Sequence, residues 1–255
     1  MNTLPENCSV PRLSRLMVSS PRRFRQGGSE MLEFALVALL FTPLMVGTFV
    51  TGMNIIRSSQ ANYIARDYAN MYIQGRDFSD YDTQLLANRL AKGLGMQIGT
   101  RPSGGDNQAD NLNNSGNGIV WMSKIIYVAS TSETPHSLCS AVQSPATCVN
   151  AGKFAFLQNI RFGNGTLETT DRASSLGACA ATRNSSGTVT DDYVTDSDAR
   201  VVDGGAMTSM WQVTNTNHAP LVDGQVIYVA EVYFQSPDLG VGALSGAGVY
   251  ARWFF

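Results

Sequence analysis

RRFRQGGSEMLEFALVALLFTPLMVGTFVTGM, residues 22–53, orders everything on either side of it. A basic run meets a double glycine, and an apolar segment begins almost at once. From Met31 to Met53 the only charged side chain is Glu33. A membrane-spanning helix needs about 20 predominantly apolar residues, whereas a buried core helix of this length keeps a polar face. The stretch therefore predicts a transmembrane span at about 31–53. Five arginines (Arg12, Arg15, Arg22, Arg23, Arg25) precede Gly28 with only Glu6 opposing them, and Arg57 is the first basic residue after the span. That asymmetry predicts a cytoplasmic N-terminus and an extracytoplasmic remainder. A removable secretory signal has an apolar region of about 7–15 residues ending at an A-x-A-like site. This segment is longer and ends at no such site, so the span is expected to stay. Cys8 has no apolar run before it, which argues against a lipoprotein signal.

Downstream, the helical pattern continues. In NIIRSSQANYIARDYANMYIQGRD (54–77), Ile56, Tyr63, Ile64, Tyr68, Met71 and Tyr72 recur at steps of three, four and seven, an amphipathic stripe. Gly75 is a C-cap candidate, so one helix is predicted from about 29 to 74, about 70 Å long at 1.5 Å per residue. Its first part would lie in lipid and its second would cover a soluble domain. Pro43 removes a backbone hydrogen bond and favours a kink. A short helix is expected at about 82–94, with Leu85, Leu86, Leu90 and Leu94 on one side. GTRPSGGDNQADNLNNSGNG (99–118) is almost wholly turn and loop formers. Five β-branched and aromatic runs follow, at 119–130, 153–163, 206–214, 224–236 and 248–255, and read as strands. Val226–Phe234 is apolar on both faces apart from Glu231, which suits a central strand. The predicted fold class is α+β, a long N-terminal helix packed on a mostly antiparallel sheet. The expected divisions are a basic leader (1–28), the helix (29–75) and an extracytoplasmic domain (76–255).

Charged residues make up 15% of the chain, below the ~25% typical of globular proteins. The leader holds five of the 18 basic and one of the 20 acidic residues, leaving 13 against 19 in the remainder. Nucleic-acid binding needs a basic face that displaces counterions, and the acidic remainder has none. Cys139, Cys148 and Cys179 fall in the exported part. Cys139 and Cys148 flank a short polar loop with Pro145, which suits a local disulfide in an oxidising compartment. The odd count leaves a Cys148–Cys179 pairing and one free thiol open. No CxxC pair offers zinc a four-ligand set. His136 and His218 are too few for most acid–base constellations, and G-x-S-x-G, H-E-x-x-H and Walker A patterns are missing. GVGALSGAG (240–248) lacks dinucleotide-loop spacing and precedes a strand. DDYVTDSDARVVDGG (191–205) does not match an EF-hand loop. The reading is a non-enzyme without a cofactor.

Glu33 raises the sharper question. A central charge in a spanning helix costs about 2.5–3.5 kcal/mol on insertion scales, and snorkelling to the interface would explain its tolerance. It would not explain the glycine at a fixed distance before it or Phe34 after it. If a peptidase cuts after Gly28, Ser29 becomes the N-terminus, with Glu33 the fifth and Phe34 the sixth residue. The carboxylate could then pair with the terminal amine of a neighbouring helix, each charge neutralising the other where an unpaired one is strongly penalised.

Gly28 followed by SEMLEF and ALVALLFTPLMVG resembles the class III signal of type IV pilin-related proteins, most closely the TadE-like minor pilins (pseudopilins) of tight-adherence, or Flp pilus, systems. FLQNIRFGNGTL and DGQVIYVAEVYFQ are similar to strand segments of larger TadE-like proteins. Glu30 adds a second acid, and the large soluble domain points to a minor component rather than the bulk fibre subunit. The resemblance implies a prepilin peptidase acting at Gly28–Ser29, assembly through Glu33 and Phe34, and other pilin and pseudopilin subunits as partners. It also implies inner-membrane assembly proteins with a secretion ATPase. The rival expectation, from a different class, is a membrane-tethered periplasmic binding module that is never processed.

Overall fold

Helix α1 occupies Gly27–Ile73 and continues through Pro43. The computed structural model describes residues 27–129, 138–141, 148–170, 173–202, 221–235 and 248–255. The basic leader to residue 26, the strand expected at 206–214, His136, His218 and the glycine-rich run up to residue 247 lie outside the described residues. The chain divides into two units, residues 1–48 and 49–255.

The end of α1 follows from Gly75. With φ at +84° it adopts the left-handed conformation that costs glycine little. Its N–H bonds Tyr72 O and the Arg76 N–H bonds Met71 O, both at 3.0 Å. These two bonds close a Schellman motif and satisfy carbonyls of the last turn. Helix α2 (Tyr81–Leu90) starts where the Asp80 carboxylate accepts the Thr83 N–H at 3.1 Å. It is shorter than the expected 82–94, because the chain tightens into a 3₁₀ turn at Lys92–Leu94 that Gly95 ends in the left-handed region.

In the second unit, α1 buries Ala61, Ile64, Ala65, Tyr68, Ala69 and Tyr72. They share one apolar core with Val120, Met122, Ile160, Phe162, Ala230 and Val232 of the sheet. This corrects the expected stripe in two places: Ile56 is 53% and Tyr63 67% exposed. The reason is the alanine row at 61, 65 and 69. It lets the helix backbone lie close to the sheet, and at about 100° per residue Tyr63 points to the opposite side. Tyr68 ties the layers together: its Oη donates to Ala87 O at 2.6 Å, and its ring packs against Phe78 and Phe162.

The sheet has five strands, β1 (Asp110–Asn113), β2 (Gly118–Val128), β3 (Lys153–Asn164), β4 (Val226–Gln235) and β5 (Gly248–Phe254), in the order β1-β3-β2-β4-β5. The β2–β3, β2–β4 and β4–β5 pairs are antiparallel and β1–β3 is parallel. β1 corrects the reading of 99–118 as loop. Its polar side chains find distant partners, as when Asn111 Nδ2 donates to Gln84 Oε1 at 2.6 Å, so turn-forming residues are recruited as an edge strand. β2 and β4, near-continuously apolar, sit in the middle, as sheets buried on both faces demand. One face carries α1. On the other, Ile125, Phe154, Phe156, Ile227 and Val229 cluster with Leu176 and Val201 from the segment after the short helix α3 (Thr166–Thr170).

Candidate functional site

Two regions have chemistry to offer: the apolar start of α1 and a polar row across the sheet. From Met31 to Phe49 the large apolar side chains are 43–75% exposed, and the helix from Glu30 to Ile73 is long and apolar enough to cross a membrane. Burying one such side chain is worth about 1.5–3 kcal/mol. A continuous sleeve of them therefore represents a large free energy available to lipid or to neighbouring helices. Glu33 and Phe34 lie exposed within this sleeve, and Pro43 is exposed further along it. Gly27 and Gly28 form the first residues of α1, just before Ser29. Each glycine in a helix costs about 1 kcal/mol relative to alanine, so two adjacent glycines give this first turn little helical propensity of its own.

The polar row lies on the sheet face opposite α1. Register aligns Arg252 of β5 with Glu231 of β4, Glu231 with Trp121 of β2, Trp121 with Arg161 of β3, and Arg161 with Asp110 of β1. Five adjacent strands thus place cation, anion, indole, cation and anion side by side. At one end Arg161 grips Asp110 with Nε to Oδ1 at 2.9 Å and Nη2 to Oδ2 at 3.0 Å. Arg183 joins from the covering loop, Nη2 to Oδ2 at 2.8 Å. Glu168 of α3 accepts from Arg161 Nη1 at 3.0 Å and from Trp121 Nε1 at 3.1 Å. Burial raises the Asp110 carboxyl, but the Arg161 hydrogen bond and the two guanidinium charges outweigh it and hold the group below its ordinary range. Hydrogen bonding to Asp110 raises Arg161 in turn.

At the other end Glu231 is fully buried. Its Oε1 accepts from Ser175 N at 3.0 Å, Ser175 Oγ and Tyr250 Oη, and its Oε2 from Ser174 Oγ. An ionised carboxylate offers about four acceptor sites, and four donors meet it here. Arg252 Nη1 donates to Ser175 Oγ. Burial, then the Glu231 charge, pushes the Tyr250 phenol up. A cleft of about 380 Å³ opens beside Asp110 and Arg183, lined also by Asn107, Gln108, Asn184 and Ser185. Within the polar row, hydrogen bonds and ion pairs run from one strand's side chain to the next and to the covering segment, so the row ties the strands and their cover together.

Sequence reading singled out Glu231 only as an exception in an apolar run, and missed Asp110, Arg161, Arg183 and Arg252. A usable signal existed: Glu231 and Arg252 are the only charged residues within β4 and β5. Their alignment, however, depends on register. Cys139 and Cys148 are joined in a disulfide with a Cα–Cα distance of 5.5 Å, and Cys179 is a free thiol. Burial raises the Cys179 thiol, which makes it a poor nucleophile. Among the described residues no group of three or more His, Cys, Asp or Glu side chains is placed to hold a metal ion. Two acids of the 191–202 segment cap its own turns, Asp192 accepting the Val194 N–H and Asp196 that of Asp198, while Asp191 accepts the Thr182 N–H from the preceding segment. Comparison with protein-family models, curated proteins and solved structures found no match.

Proposed function

We propose that this chain is a TadE-like minor pilin, or pseudopilin, acting in the assembly of Flp-type (type IVb) pili for adhesion or secretion. It is a single-pass inner-membrane subunit with its N-terminus in the cytoplasm and its α+β domain in the periplasm. A prepilin peptidase cuts it after Gly28. Other pilins, the inner-membrane assembly proteins and their secretion ATPase are its partners. One observation carries the reading: the exposed apolar sleeve of α1 from Met31 to Phe49 begins just after Gly28–Ser29 and contains Glu33. A free-standing surface of this kind needs lipid, and a helix bundle after extraction from lipid, to cover it. Glu33 has a use in such a bundle as the counter-charge of a neighbour's new terminal amine.

Intact-mass measurement on the membrane fraction tests processing. The wild-type chain should begin at Ser29, and Gly28→Leu should leave the precursor uncut, because a bulky side chain obstructs an extended backbone entering the peptidase. A mature start at Ser29 in the Gly28→Leu chain would sink the assignment. A wild-type chain that stays intact would favour the unprocessed, membrane-tethered periplasmic binding module.

A further inference from the structure

We propose that the cleft between the start of β1 and the 181–185 segment is a binding site for a short, uncharged saccharide. Its volume of about 380 Å³ falls at the lower end of the roughly 300–1,000 Å³ usual for ligand sites. The buried Ala109 and Ala181 line it, and their methyl groups offer a small apolar surface to the C–H face of a sugar ring. Around them stand three side-chain amides, each pinned at one end. Asn107 Nδ2 donates to Asp77 Oδ2 at 2.9 Å, and Gln108 Nε2 donates to Asp110 O at 2.9 Å. Asn184 Oδ1 accepts the Ser186 N–H at 3.0 Å and the Thr188 N–H at 2.9 Å. These bonds decide which end of each amide is left over. The opposite ends, Asn107 Oδ1, Gln108 Oε1 and Asn184 Nδ2, make no hydrogen bond among the described residues, and neither does Ser185 Oγ. The cleft thus presents two unspent acceptors, an amide donor and a hydroxyl that can do either. Sugar hydroxyls also donate and accept, so neighbouring ones can answer all four groups.

The walls are set before a ligand arrives. Arg183 joins them through Nη2 to Asp110 Oδ2 at 2.8 Å. The Gln108 N–H bonds Ser79 O at 2.9 Å, and the Asn184 N–H bonds Thr188 O at 3.0 Å. A preorganised site loses little ordering free energy on binding. Charge then selects the ligand class. Asp110 and Arg183 are the only charged side chains lining the cleft, and they are paired with each other. An anion would face the carboxylate and a cation the guanidinium, whereas a neutral ligand meets neither repulsion. An extended peptide would read strand-edge main chain, but the unspent groups here are side-chain amides and a hydroxyl. Cleavage after Gly28 has no part in this.

Two-dimensional NMR titration of the full chain in phosphocholine micelles, which carry no sugar headgroup, tests it with triacetylchitotriose and maltotriose. One or both should shift the amides of Gln108, Asp110, Arg183 and Ser185 saturably at millimolar concentration, leaving Val120 and Met122 unmoved. Binding of triacetylchitotriose alone would identify an N-acetylated amino-sugar polymer as the source, and binding of maltotriose a plain hexose polymer. Glucosamine trimer and trigalacturonate, the cationic and anionic counterparts, should bind more weakly. Gln108→Ala and Ser185→Ala should each raise Kd by about fivefold, the worth of one hydrogen bond. Ser185 is exposed and makes no bond in the fold, so Ser185→Ala keeps the test open should Gln108→Ala fail to fold. Absence of a saturable shift from both neutral sugars would overturn the proposal. So would a charged trimer or a Gly-Ser-Gly peptide binding there as tightly as the sugars, or wild-type affinity in either variant that folds.

Discussion

Tyr63 and Tyr68 stand five residues apart on one helix, and the structure assigns them opposite energetic roles. Tyr68 is fully buried, its Oη donates to Ala87 O at 2.6 Å, and its ring lies 5.8 Å from Phe78 and 6.4 Å from Phe162. Tyr68→Phe removes one hydrogen bond. The Ala87 carbonyl it leaves still accepts the Ala91 N–H at 3.0 Å, so no acceptor is orphaned and the loss should be about 1 kcal/mol. Tyr68→Ala deletes the ring as well and opens a cavity between α1, α2 and the sheet, a change worth about 3–5 kcal/mol for aromatic-to-alanine substitutions. In a domain of roughly 200 residues each kcal/mol moves the melting temperature by about 2–4 °C. Tyr68→Phe should therefore lower it by about 2–4 °C and Tyr68→Ala by about 6–20 °C. Tyr63, 67% exposed, should tolerate alanine within about 0.5 kcal/mol. Thermal unfolding of the full chain in detergent, followed by near-ultraviolet circular dichroism, measures all three. Equal losses for Tyr63→Ala and Tyr68→Ala would refute the packing of α1 described above.

Replacing Cys139 and Cys148 by serine should cost about 2–3 kcal/mol, since the bridge closes a loop of about ten residues in the unfolded chain; recovery of both as free thiols in non-reducing peptide maps of periplasmically exported protein would end that claim. Asp110 has a folded-state carboxyl held below its ordinary range, so its stabilisation is present above about pH 4 and lost as pH falls through the lowered folded value. The stability gap between wild type and Asp110→Asn should thus be constant at neutral pH and close in stronger acid, and a gap that widens on acidification would contradict the sign. On the proposed pilin function, in which Glu33 pairs with a neighbouring subunit's terminal amine, Glu33→Gln should leave cleavage and insertion intact but reduce surface pili and co-purification with pilus components, since loss of one partner of a buried ion pair costs up to ~3–5 kcal/mol, less where water reaches it. Normal piliation from a strain whose only copy carries Glu33→Gln would return the residue to a tolerated interfacial acid.

Three features were legible in the order of residues alone because their causes are local. The membrane-length apolar run needs only composition. The end of α1 needs only Gly75, whose missing Cβ permits the turn. Central strands such as β2 and β4 announce themselves by apolar, β-branched runs. Tertiary structure decided the rest, because the deciding partners lie far away in sequence. Which side of α1 is buried turned on Ala61, Ala65 and Ala69, small residues that carry little hydrophobic signal but permit the closest approach to the sheet. β1 formed from turn-rich sequence because Gln84 and β3 satisfy its polar groups. The row Arg252, Glu231, Trp121, Arg161, Asp110 exists only once five strands are in register. A shift of one residue in any of them would turn its member of the row to the opposite face, which is why no reading of the strands one at a time could have assembled it.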